Sequence, residues 1–268
     1  MCLILFAYRA HPRYHLILAA NRDEYYNRPT ATAGFWSDSP YVLGGRDLHN
    51  MGTWLGITHT GRFAALTNYR NPRSVMADAR SRGELVKDFL TCRQSPPVYL
   101  KKVSQEQHLY NGFNLLIGDD TSLWYFGKQE GLARELGPGI YGLSNHLINT
   151  PWPKVSKGIR SLRGILAAAN SETVVDTKNL FVLLHDSTPA AEKDLPDTGV
   201  SRDWERILSP IFVCSPEYGT RCSTVLLIGV NGVVEFTERT YLSYDQSIDK
   251  TENGCDVFFS FQLMENSY

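Results

Sequence analysis

Short apolar runs broken by turn-forming clusters dominate both ends of the chain, and a helical period appears only in the middle. Leu3–Tyr8 and His15–Asn21 are β-prone stretches joined by the polar segment Arg9–Tyr14, a pattern that predicts a hairpin. In an antiparallel hairpin the start of the first strand lies beside the end of the second, so Cys2 is expected near "NRDE" (Asn21, Arg22, Asp23, Glu24). Trp54–Thr58 and Arg62–Tyr69 predict a second hairpin about His59–Gly61, and Asn114–Gly118 with Ser122–Phe126 a third. Ile140–Leu143 reads as a short strand. Thr224–Val230 and Val233–Thr240 flank the turn pair Asn231-Gly232, and Val257–Met264 closes the chain as a final strand.

Between these strands the period changes. Ser81 and Glu84 have capping-box spacing ahead of apolar Leu85, Val86, Phe89 and Leu90, which predicts a helix from Ser81. Val98–Gln107, Trp152–Asn170 and Val174–His185 also have helical spacing, with Pro153 suited to an opening turn. Ser187–Ser201, rich in Pro, Asp, Ala and Thr, predicts a mobile surface loop. "GGRDL" (Gly44–Leu48) precedes no helix and is expected to shape a turn rather than cradle a phosphate. Helices grouped between two sets of strands predict an α+β fold, antiparallel sheets with helices outside them, in one domain over 1–268.

Composition narrows the function classes. At 268 residues, 43% hydrophobic, 21% charged and a formal net charge of −1, the chain has no basic field for nucleic acid. No apolar run is long enough to span a bilayer, and the first residues lack a basic leader and a cleavage site, so a cytoplasmic protein is expected. Cys2, Cys92, Cys214, Cys222 and Cys255 are scattered and odd in number, without metal-finger spacing, and read as free thiols with no metal site.

One thiol stands out by position. Removal of Met1 would put a thiol and a free α-amine on Cys2, a nucleophile and a base on one residue, with reference pKa values of about 8.5 and about 7.7–8.0. Cleaving an amide or ester also needs donors for an oxyanion and a group to orient the amine. Asp23 is the carboxylate that the hairpin returns to the chain start. Asn68 ("AALTN") and Asn145 ("YGLSN") end apolar strands where their amides could face an oxyanion, and Arg221 ("YGTRCSTVLL") could clamp a thiolate or a substrate carboxylate. Each also has a plain structural use: Cys2 as a small buried hydrophobe, Asp23 and the two asparagines as turn residues, Arg221 as a solvated cation.

The stretches "MCLILF", "LILAANRDE", "GTWLGI", "GRFAALTNYRNP", "SRGELV", "YNGFNLLIGD", "YGLSN" with "TPWPK", and "YGTRCSTVLL" with "EFTER" resemble the NRDE (transport and Golgi organisation two) family, in order and over nearly the whole chain. That family in turn resembles the N-terminal nucleophile hydrolases of the choloylglycine hydrolase and penicillin V acylase type. The resemblance implies a four-layer αββα sandwich. It also implies Cys2 as nucleophile, Asp23 holding the amine, Asn68 and Asn145 at the oxyanion, and Arg221 as the distal arginine. Asn21, Arg22, Glu24, Trp54 and Tyr69, in the same motifs, are the expected substrate contacts. Ala20 stands where those enzymes carry their first arginine, and the nearest guanidinium, on Arg22, is expected on the opposite strand face. The activity implied is cysteine-dependent hydrolysis or transfer of an acyl group on a small amide or thioester, without a cofactor. A carrier of haem, acyl-CoA or lipid on the same scaffold, with no turnover, is the alternative.

Overall fold

The computed structural model describes residues 2–169, 174–241 and 254–264. In chain order its strands begin with β1 (Cys2–His11), β2 (Tyr14–Tyr25), β3 (Thr30–Trp36), β4 (Ser39–Asp47), β5 (Leu55–Thr58) and β6 (Phe63–Asn68). Then follow β7 (Phe113–Gly118), β8 (Leu123–Gly127), β9 (Leu132–Glu135), β10 (Gly139–Leu143), β11 (Tyr218–Gly229), β12 (Val233–Tyr241) and β13 (Gly254–Gln262). The helices are α1 (Gly83–Thr91), α2 (Pro96–Glu106), α3 (Pro153–Ala168), α4 (Thr177–Leu184) and α5 (Arg202–Ile207). None is long and apolar enough to cross a membrane.

The chain forms two compact units. The first holds a six-stranded sheet in the order β10-β1-β2-β11-β12-β13. Leu3, Leu5, Ala7, Ile17, Ala19, Val225 and Leu227 make one face of it and pack under α3 and α4 through Val155, Leu162, Leu180 and Leu184. The opposite face, with Ile4, Phe6, Leu18, Leu226 and Phe236, is also buried, so these strands read as continuous apolar runs rather than as an alternation. Helix α3 lies close on β1 because Gly158 has no Cβ; one added there would stand 2.6 Å from Leu5 Cδ1.

The second unit carries a seven-stranded sheet ordered β3-β4-β5-β6-β7-β8-β9. Its covered face, with Ala64, Leu66, Leu115, Ile117 and Phe126, packs against Leu85, Val86 and Phe89 of α1 and Leu100 and Val103 of α2.

Several local expectations change. "GGRDL" forms no turn: Gly44–Asp47 run through β4, with both glycines serving close packing. A Cβ on Gly44 would meet Leu55 O at 2.6 Å, and one on Gly45 the Trp54 ring at 2.2 Å. The capping box at Ser81 does not close. Helix α1 starts at Gly83 with no side-chain cap, because the Glu84 carboxylate accepts from Arg80 Nε and Nη2 instead. The segment 187–201 is tied down rather than loose: Thr198 donates to Glu205 of α5, and Arg202 and Arg206 pair with Glu192. The third helix ends at Ala168, and the expected end at Asn170 lies outside the described residues.

Candidate functional site

Cys2 is the first residue of β1, half-buried, with its carbonyl oxygen accepting from Ser144 Oγ at 3.1 Å. The register of β1 on β2 sets Cys2 opposite Arg22 and Leu3 opposite Asn21. Side chains alternate between faces along a strand, so the four residues of "NRDE" divide: Asn21 and Asp23 turn toward the helix side, Arg22 and Glu24 toward the face of Cys2. The sequence expectation had Arg22 on the opposite face; it shares the face of Ala20, two residues away, and of Cys2 across the ladder.

Asp23 is 1% exposed and held from several sides. Its Oδ1 accepts from Thr220 Oγ1 at 2.8 Å, and its carbonyl oxygen accepts from Tyr218 Oη at 3.0 Å. Thr220 Oγ1 in turn accepts from the Val213 N–H at 2.9 Å, which leaves its single proton for Asp23. Burial pushes the Cys2 thiol above its ordinary range and the Asp23 carboxylate adds to that, while the Arg22 charge and the Asp23 backbone N–H work the other way. At neutral pH the sulfur is thus mainly a thiol, and any nucleophilic use of it needs a base during reaction.

Asn21 is fully committed to the scaffold. Its Nδ2 donates to Leu184 O at 2.8 Å and Ile211 O at 2.9 Å, and its Oδ1 accepts from Ser223 Oγ at 2.6 Å, tying β2 to the end of α4. Both of its amide protons and one acceptor site of its oxygen are thus engaged by the scaffold. Arg221 is the extra residue of a β-bulge, because β11 pairs Thr220 with Asp23 and Cys222 with Arg22. Its Nη1 donates to Tyr25 O at 2.8 Å, and its guanidinium is pushed below its ordinary range by burial and then by the positive charge of Arg22. Glu24 stands 4.0 Å from Arg22.

The second unit groups other candidates. Asn68 ends β6 half-buried, and its side-chain amide makes no hydrogen bond among the described residues. Asn145 is 0% exposed and differs: its Nδ2 donates to Asn68 O at 3.0 Å, and its carbonyl oxygen accepts from Arg70 N at 2.8 Å. The Tyr69 ring lies tilted against that of His146, with centroids 4.9 Å apart. Asn114 supports this end by donating to Thr67 Oγ1 and His146 O and accepting from Tyr125 Oη. Trp54 is placed elsewhere, its ring over Gly45 of β4, two strands from β6. Among the described residues no group of three or more His, Cys, Asp or Glu could hold a metal.

Thr220, Ser223, Ser144 and Cys222 are partners that sequence reasoning missed. The signal was present in "TRCST", a polar run that interrupts an otherwise apolar strand and marks where β11 stops serving the core.

The fold is one already known. Conjugated bile acid hydrolase from Clostridium perfringens, solved as its C2A mutant, superposes with a TM-score of 0.51 at 10% identity, covering 100% of this chain and 99% of that one. This defines the class: an α+β fold of the N-terminal nucleophile hydrolase type. Sequence places the chain more narrowly. It belongs to the Transport and Golgi organisation 2 family, whose model matches residues 1–243. The mouse Transport and Golgi organization 2 homolog is 41% identical over 267 residues, spanning 92% of this chain and 95% of that protein. The Drosophila melanogaster Transport and Golgi organization protein 2 is 30% identical over 275 residues, spanning 91% and 94%.

Proposed function

We propose that this protein, after loss of Met1, is a cysteine N-terminal nucleophile enzyme that hydrolyses or transfers the acyl group of a small amide or thioester. The observation that carries the reading is the head of β1: Cys2 stands opposite Arg22, and the next residue of β2, Asp23, is a buried carboxylate whose orientation is fixed by the committed hydroxyl proton of Thr220. In the mechanism the Cys2 α-amine takes the thiol proton and sulfur attacks the acyl carbonyl. For the developing oxyanion the family resemblance implies side-chain amide donors, Asn68 and Asn145, of which Asn68 keeps its amide uncommitted. The ammonium then protonates the leaving amine or thiolate, and water or another acceptor releases the acyl group from sulfur. The bile acid hydrolase with the matching fold, studied as C2A, likewise has its second residue as cysteine, which supports the same use here.

The test compares intact mass before and after a thiol-reactive acyl probe in three proteins: C-terminally tagged, non-removably N-terminally tagged, and Cys2→Ala. Acylation confined to the first, with Met1 absent by mass, is the expected result. Turnover in the N-terminally tagged form would exclude the amine as base. Haem or acyl-CoA binding in all three forms, with turnover in none, would replace the enzyme reading with carriage.

A further inference from the structure

Cys2, Arg22 and Cys222 stand in one row across β1, β2 and β11, because both thiols are register partners of the same arginine. Directly opposed side chains on antiparallel neighbours have Cβ atoms about 4.5–5.5 Å apart, so the guanidinium of the middle strand is within reach of both sulfurs. The charge is permanent, since a guanidinium keeps its protons throughout the working range, and at 6% exposure it is poorly screened by water.

The two sulfurs have different surroundings. Cys222 is buried, and its thiol is pushed well above the ordinary range by burial and then by Glu238 of β12, which faces it. Cys2 is half-buried and faces Arg22 and the Asp23 backbone N–H from β2, with the Asp23 carboxylate opposing them and the Cys222 thiol beyond Arg22. Glu24 meets Arg22 only at 4.0 Å, and Arg221 brings a second positive charge to the same strand end.

We propose that Arg22 is the positioning residue of the nucleophile: its charge holds the Cys2 sulfur as the thiol proton leaves, and Glu24 tempers that charge. The use of Cys2 as nucleophile rests on the function proposed above. In the step itself the S–H bond breaks, an N–H bond forms on the Cys2 amine, and the electron pair left on sulfur faces the guanidinium; nothing is oxidised or reduced. Arg22 thus supplies, two residues further along the same strand face, the positive charge that Ala20 cannot.

Alkylation of Cys2 in the mature, full-length protein reads this directly and needs no substrate. The rate with iodoacetamide is followed against pH by peptide mapping, which separates Cys2 from Cys222 and from exposed Cys255. Arg22→Met should slow Cys2 alkylation at pH 7 by about tenfold and move its profile up by about one pH unit, the size expected for losing one nearby opposite charge. Arg22→Lys should restore most of the rate. Glu24→Gln should shift the profile the other way. A folded Arg22→Met protein whose profile superimposes on wild type overturns the proposal. If that variant does not fold, Glu24→Gln decides, and an unmoved or upward-shifted profile overturns it. A protein whose profile moves as expected but is never acylated by substrate refutes the proposed function and leaves the role of Arg22 standing.

Discussion

The two strand ends that hold the candidate residues are built on different principles. At the head of β1 in the first unit, polar side chains are engaged through their functional atoms: Asn21 spends its whole amide on the scaffold, and Asp23 is gripped through Oδ1. At the end of β6 in the second unit Asn68 is held through its main chain, with Asn145 Nδ2 donating to Asn68 O and Arg70 N donating to Asn145 O, so that Asn68 keeps its own amide uncommitted. Two asparagines that look alike in the sequence therefore do different things. One that is saturated with hydrogen bonds stabilises the fold, whereas one that is held only by its main chain can donate to something that arrives later.

The sharpest way to break this contrast is to remove the atom on which the first region converges. Cys2→Ala should reduce acylation to background while the thermal midpoint stays near wild type, since a half-buried strand-head side chain contributes little packing. Mass spectrometry after probe treatment and a melting curve check both halves. Asn68→Ala should cost about 10²–10³-fold in acylation rate and leave stability within about 0.5 kcal/mol, the signature of a donor used only in the transition state. Loss of stability without loss of rate would put Asn68 in the scaffold. Asn21→Ala should behave in the opposite manner, with a loss of about 3 kcal/mol in urea unfolding, because it strands Leu184 O and Ile211 O in the interior and leaves Ser223 Oγ with Tyr241 Oη alone. Asn145→Ala should lie between them at about 1–3 kcal/mol, with a secondary fall in rate as the end of β6 loosens.

The smallest effect concerns pH. Burial lowers the pKa of His146 in the second unit and of His11 in the first, so the unfolded chain binds more protons than the folded one near the ordinary histidine value. Their contribution to stability is complete above about pH 6.5 and is lost as pH falls through that value toward the depressed folded pKa. His146→Gln should reduce the difference in urea midpoint between pH 7.5 and pH 5.5. An unchanged difference would mean that His146 is not desolvated as the fold places it.

Much of this was legible in the sequence, and the failures have physical causes. Both hairpins that bear Cys2, Asp23 and Asn68 were readable because their strands are apolar runs closed by turn residues. Strands β3 and β4 were not, since Thr, Ala, Gly and Pro dilute the pattern; the glycines of β4 are there to admit Leu55 O and the Trp54 ring. The side of the sheet on which Arg22 falls was misjudged although alternation alone determines it: Ala20 and Arg22 differ by two. Which asparagine would be saturated was not readable, because the partners of Asn21 come from residues 163 and 190 positions away.

The bulge at Arg221 acts as a phase shifter for the strand that contains it. In a regular strand Thr220 and Cys222 would point the same way, yet here the hydroxyl serves Asp23 and the thiol joins the row with Arg22. The bulge absorbs one additional residue, so that Thr220 stays opposite Asp23 and Cys222 opposite Arg22 on either side of it. Deleting Arg221 would remove the cation and the bulge together, leaving Thr220 and Cys222 as successive, alternating positions opposite Asp23 and Arg22, so the hydroxyl donor of Asp23 should survive the deletion. What the bulge adds at this strand end is therefore Arg221 itself, set outside the pairing with its Nη1 on Tyr25 O, and not the facing of its two neighbours.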